Sequence, residues 1–101
     1  MYLSEDQIKV IKSFFQDKPV KKVYLFGSYA RGDADENSDL DVFLVLDDEN
    51  KKWSYFELAG MWSDFQDKLK MKVDMVHQHS FLKERFLNRI NADKTLLFEH
   101  A

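Results

Sequence analysis

The stretch that most restricts the fold of this chain is Leu40-Asp41-Val42-Phe43-Leu44-Val45-Leu46, where one acid interrupts an otherwise apolar run. Such a run, closed by Asp47-Asp48-Glu49-Asn50, reads as a strand, and a strand this apolar needs paired neighbours and covering layers. The chain offers both. Val20 to Phe26 is a second strand, ending at Gly27, and Val73 to Val76 is a short third one. Ser4 and Gln7 form a capping-box pattern ahead of Ile8, Ile11, Phe14 and Phe15, which predicts a helix running to Asp17-Lys18-Pro19. Trp53, Phe56, Met61, Phe65 and Leu69, joined by Leu58 and Trp62, predict another over 53–69, with Gly60 in its middle. Ser80 is expected to cap a last helix carrying Phe81, Leu82, Phe86, Leu87 and Ile90. The tail Thr95 to Phe98 either pairs at a sheet edge or docks on a partner. The order α-β-loop-β-α-β-α predicts a small sheet covered by helices.

A length of 101 residues suits one hydrophobic core, so residues 1–101 are expected to form a single domain. The absence of Cys removes disulfides, thiolate metal sites and cysteine nucleophiles, and points to the cytoplasm. No apolar stretch approaches the roughly 18 residues of a membrane span, and Met1-Tyr2-Leu3-Ser4-Glu5-Asp6 lacks a basic start followed by an apolar core, so neither membrane nor export is expected. With 15 basic against 18 acidic residues the net charge is -3, and no general grip on nucleic acid is expected.

Three features carry chemistry. Gly27-Ser28, at the end of the first strand, leads into Tyr29-Ala30-Arg31-Gly32. If a short helix opens there, backbone N–H groups, the Ser28 hydroxyl and the Arg31 guanidinium form a phosphate cradle; the alternative is a plain turn in which Gly27 takes positive φ and Ser28 caps. Asp39 and Asp41 sit at i and i+2 of a strand, so both carboxylates project from one face, roughly 6–7 Å apart at the backbone. Paired anions there call for divalent cations, unless Asp39 only closes the loop and Asp41 lies on an open edge. Asp74, between Val73 and Met75, completes a carboxylate triad if its strand lies beside the second, and otherwise faces solvent.

The run Gly27-Ser28-Tyr29-Ala30-Arg31-Gly32, followed about ten residues later by Ser38-Asp39-Leu40-Asp41-Val42, resembles the signature of the DNA polymerase beta-like nucleotidyltransferase superfamily, and its minimal nucleotidyltransferase branch in particular. The likeness covers roughly residues 20 to 78. It implies an α/β (α+β) fold, a small mixed β-sheet flanked by helices. It also implies that Asp39 and Asp41 hold two Mg²⁺ ions, that Asp74 completes the catalytic metal site and helps activate the attacking hydroxyl, and that Gly27 and Ser28, with Arg31, bind the phosphates. The reaction so implied moves a nucleoside monophosphate, AMP from ATP, to a hydroxyl with release of pyrophosphate. Members of this branch pair with small helical HEPN toxins as antitoxins and adenylylate a tyrosine of that partner, which makes a HEPN-family protein the expected partner here.

Other residues have simpler readings. His77-Gln78-His79 has a metal-pair spacing, but nothing nearby completes a zinc set. Asp33, Asp35 and Glu36 lack the spacing of a calcium loop, and Lys21, Lys22 and the lysines of 68–72 suit a solvated face. Part of the aromatic helix over 53–69 exceeds what one buried stripe needs and suits a partner surface. A haloacid dehalogenase-type phosphohydrolase also uses Asp-x-Asp, but there the apolar strand precedes the acids, whereas here it follows them. Two alternatives to a protein-modifying enzyme stay open: a nucleotide-binding module that neutralises its partner by binding, and a free-standing transferase acting on a small molecule.

Overall fold

The computed structural model describes residues 1–47, 52–79 and 81–100. Its elements run α1 (Glu5–Phe15), β1 (Val20–Phe26), α2 (Ser28–Arg31), β2 (Leu40–Leu46), α3 (Tyr55–Leu69), β3 (Val73–His77), α4 (Glu84–Asp93) and β4 (Thr95–Glu99). The sheet order is β3-β2-β1-β4. β1 is antiparallel to both β2 and β4, and β2 is parallel to β3, so the sheet is mixed. A parallel pair needs a long crossover, and α3 supplies it between β2 and β3. The tail expected to pair or dock is the edge strand β4.

β2 is buried as its composition requires: Leu40, Val42 and Leu44 are fully inaccessible. They meet Ile11 and Phe15 of α1 and Met61, Phe65 and Leu69 of α3 in one core cluster. Phe14, Phe15 and Phe65 stack with ring centroids 5.0 Å apart in each pair. Phe43 and Ile90 are also buried but stand outside that cluster. They belong to the other face of the sheet, where Phe86 of α4 meets Phe26 of β1 nearly edge-on at 6.4 Å. Alternation along a strand puts Asp41 and Phe43 on this second face, opposite Val42 and Leu44.

The Ser4–Gln7 capping box forms as expected. A second one starts α3, where the Ser54 hydroxyl accepts from the Glu57 N–H. It sets the helix start at Tyr55, two residues later than the apolar pattern suggests. The stripe Leu58, Met61, Phe65 and Leu69 then faces the core, and this leaves Phe56 86% exposed. Gly60 has open space where a Cβ would stand. The last helix also starts later than predicted. Lys83 is its N-cap, a turn closes from the Leu82 N–H to the His79 carbonyl, and Phe81 is 90% exposed. Ser80, the expected cap, lies outside the described residues, as do Asp48, Glu49 and Asn50 of the acidic stop after β2.

Side chains of α3 also hold the start of β3. The Trp62 indole N–H donates to the Val73 carbonyl at 2.6 Å, and the Val73 N–H donates to Gln66 Oε1 at 2.9 Å. Among the described residues no helix is long and apolar enough to cross a membrane.

Candidate functional site

At the junction of β1 and α2, Gly27 takes φ 72°, a conformation open to glycine and costly for other residues. A Cβ at this position would collide with Oδ2 of Asp41. The register explains the proximity, because Phe26 is the strand partner of Asp41 and the chain turns immediately afterwards. The turn is short: both Ala30 and Arg31 N–H groups donate to the Gly27 carbonyl at 3.0 Å, and Gly32 at φ 89° ends it. Gly27 thus brings the backbone of the Gly-Ser pair against the carboxylate of the Asp-x-Asp pair.

On its other side Asp41 is the register partner of Asp74 across the parallel β2–β3 pair. Asp41 is half-buried, Asp39 likewise, and Asp74 is exposed on the edge strand. The Asp41 carboxyl is pushed up to about 6, first by burial, then by the charges of Asp74 and Asp39 and a side-chain hydrogen bond with Asp74, against a smaller downward pull from Arg31. Burial penalises the charged form and neighbouring anions add to the penalty, so this group is held partly protonated near neutral pH. Asp39 acts on Asp41 through charge, whereas Asp74 acts through charge and a bond.

Such a donor set, hard carboxylate oxygens that repel one another, suits Mg²⁺. Among the described residues no group of three or more His, Asp or Glu is disposed to hold an ion as it stands.

Gly27, Ser28, Arg31 and Asp41 share a cavity of about 300 Å³ whose far wall is α4. Arg31 is already engaged there: its Nε meets Asp33 at 3.2 Å and its Nη1 meets Asp93 of α4 at 2.7 Å. These bonds, to Asp33 and then Asp93, raise the guanidinium above its ordinary value. α4 also contributes Phe86 and Arg89 to the cavity, which the sequence does not announce because only the tertiary fold brings them to the Gly-Ser turn. A larger recess of about 890 Å³ lies between α1 and α3, lined by Lys9, Phe14, Asp64 and Lys68 among others. It sits on the helices covering the opposite face of the sheet, remote from the three aspartates.

The remaining polar residues of the loop hold it in shape. Asp35 accepts from the Asn37 N–H at 2.9 Å and from the Ser38 hydroxyl at 3.2 Å, a tight turn just ahead of Asp39. His77 and His79 rings lie 5.0 Å apart at the end of β3.

A family model described as polymerase beta, nucleotidyltransferase matches residues 9–101. Two Methanocaldococcus jannaschii proteins that carry the name putative protein adenylyltransferase are similar to this chain. One is 40% identical over 70 residues, spanning 68% of this chain and 69% of the relative. The other is 45% identical over 89 residues, spanning 82% and 90%. The fold resembles the crystal structure of a toxin–antitoxin with AMP-PNP, at TM-score 0.76 and 20% identity over 92% of this chain and 73% of that one. It also resembles a chain from the complex of a tri-AMPylated Shewanella oneidensis HEPN toxin with MNT antitoxin, at TM-score 0.72 and 16% identity over 97% and 74%. Matched by the family model over nearly its whole length, with the mixed sheet and helical cover that the family's signature implies, the chain belongs to the polymerase beta nucleotidyltransferase family and is a nucleotidyltransferase.

Proposed function

We propose that this protein transfers AMP from ATP to a hydroxyl of a protein partner, a tyrosine of a HEPN-type toxin, and so acts as an antitoxin. The observation that carries the reading is the in-register pair Asp41–Asp74 set directly against the Gly27 turn. Carboxylates that penalise one another are thereby placed beside a backbone able to approach a phosphate closely.

In this reading the Gly27 backbone and the Ser28 hydroxyl receive the β- and γ-phosphates, with the Arg31 charge at the same cavity. Asp39, Asp41 and Asp74 hold two magnesium ions. Bound there, Mg²⁺ supplies positive charge to the triphosphate and to the α-phosphoryl group as it is attacked. Asp74 takes the proton of the attacking hydroxyl, whose oxygen forms the new bond to the α-phosphorus while the bond to the bridging oxygen breaks and pyrophosphate leaves. The exposure of Asp74 on an edge strand supports a large acceptor, because a tyrosine presented by another protein reaches it without passing through the fold. The names of the two M. jannaschii relatives support the adenylyl group and a protein acceptor. The titles of the fold neighbours support a HEPN toxin as that acceptor.

The test is transfer of labelled AMP from ATP, with Mg²⁺, to the cognate helical protein. Wild type labels a tyrosine, and an Asp39→Ala, Asp41→Ala double variant does not. Full labelling by the double variant removes the metal mechanism. Neutralisation of the partner by wild type with no transfer assigns the protein to binding instead of catalysis.

A further inference from the structure

One stripe of α4 faces the cavity beside the Gly27 turn: Phe86, Arg89, Ile90 and Asp93, spaced by three and four residues as one face of a helix requires. Three of the four are committed to holding the helix in place. Phe86 packs on Phe26, Ile90 is fully inaccessible, and Asp93 accepts the Arg31 guanidinium at 2.7 Å. Arg89 is exposed and, among the described residues, makes no hydrogen bond or ion pair.

The two arginines of the cavity are therefore unequal. Arg31 already spends its Nε and one Nη1 donor on two carboxylates, which offset its charge and tie it to α4 through Asp93. Arg89 gives up only solvation. Arg89 lines the same cavity as Gly27 and Ser28, the pair that receives the distal phosphates in the reading above. Its planar fork of donors matches phosphate oxygens bidentately.

We propose that Arg89 is the side chain that grips the terminal phosphates of the nucleoside triphosphate, and that Arg31 is a positioning residue that holds α4 through Asp93 so that Arg89 stands over the cavity. The inference rests on the nucleotidyl-transfer reading above and assigns within it a contact that the Gly-Ser-x-Ala-Arg motif does not contain.

The experiment measures binding of a non-hydrolysable ATP analogue and of AMP, each with Mg²⁺, to the full chain and its variants. Arg89→Ala is expected to weaken the ATP analogue about tenfold or more while leaving AMP affinity within about twofold, and Arg89→Lys to recover part of the loss. Arg31→Ala is expected to weaken the ATP analogue selectively too, with faster amide exchange over 84–93. In the Arg31→Ala, Arg89→Ala double variant the two losses do not add, because the first acts through the second. Equal ATP-analogue affinity in wild type and Arg89→Ala overturns the proposal while leaving the transferase reading intact. So does a parallel loss of AMP and ATP analogue, which marks Arg89 as structural. Additive losses overturn the positioning role of Arg31. Failure of wild type to bind either nucleotide overturns both this proposal and the reading it rests on.

Discussion

Asp41 and Asp74 stand as register partners across parallel β2 and β3, a half-buried carboxyl beside an exposed one. Because Asp41 is pushed up to about 6, the folded state binds its proton more tightly than the unfolded chain, whose ordinary value is 3.8. The stability this contributes is present below that ordinary value and is lost as pH rises through about 6. Asp41→Asn removes the titration. Discounted for solvent screening, the effect is on the order of 1 kcal/mol, or about 4–8 °C in a domain of this size. Thermal unfolding without metal is expected to show Asp41→Asn more stable than wild type at pH 7.5, with the difference shrinking as the pH falls through about 6 toward 3.8. Millimolar Mg²⁺ is expected to raise the wild-type midpoint at pH 7.5 and to leave the variant unmoved. Parallel pH profiles for the two proteins would refute the account.

Gly27→Ala meets two obstacles at once, a positive φ and the Asp41 carboxylate in the space of the new Cβ. Its cost is expected to be on the order of 2 kcal/mol or more. Gly32→Ala, at φ 89°, collides with the Tyr2 ring, which is 70% exposed and free to swing away. It retains mainly the backbone penalty of about 1 kcal/mol. Urea midpoints that rank Gly32→Ala below Gly27→Ala would contradict the steric assignment.

Phe65 is fully inaccessible among Phe14 and Phe15, whereas Phe56, on the same helix, is 86% exposed. Phe65→Ala is expected to cost about 3–5 kcal/mol through lost burial and the cavity left behind. Phe56→Ala is expected to change stability by no more than about 0.5 kcal/mol. Chemical denaturation of the two variants measures the contrast.

Trp62→Phe leaves a smaller aromatic ring and removes the donor to the Val73 carbonyl, and Gln66→Leu removes the acceptor for the Val73 N–H. Each is expected to cost about 1 kcal/mol. Amide exchange should quicken at the start of β3, and nucleotide transfer should fall because Asp74 is the next residue. Unchanged exchange at Asp74 and Val76 would show that the two bonds do not hold the strand.

The elements whose evidence is local were legible in the sequence. Val20–Phe26 and Leu40–Leu46 form over the residues their apolar runs define, and Ser4 and Gln7 make the capping box their spacing suggests. At α3 the capping chemistry overrode the apolar pattern. Ser54 and Glu57 start α3 after Trp53, although Trp53 fits the helical stripe. At α4 no side-chain cap sets the start: Phe81 and Leu82 mimic the first turn of a helix that begins at Glu84 after Lys83. Asp74 was a candidate only on condition that β3 lie beside β2, because strand order is a property of the crossover and not of the strand. Arg89 gave no local signal at all. It reaches the cavity because α4 packs Phe86 on Phe26 and Asp93 on Arg31, contacts spanning 60 residues or more of chain.

The hold that Trp62 and Gln66 exert on Val73 also limits how the sheet can be extended. Leu40 donates to the Lys72 carbonyl and Gln78 to that of Leu44, so Asp74 and Val76 spend their peptide groups on β2 while Val73, Met75 and His77 turn theirs outward. The first of those outward positions is already filled by side chains. An extended segment from another molecule cannot template along the full length of β3 without displacing both, so intermolecular strand addition beside the aspartates is blocked at its starting rung.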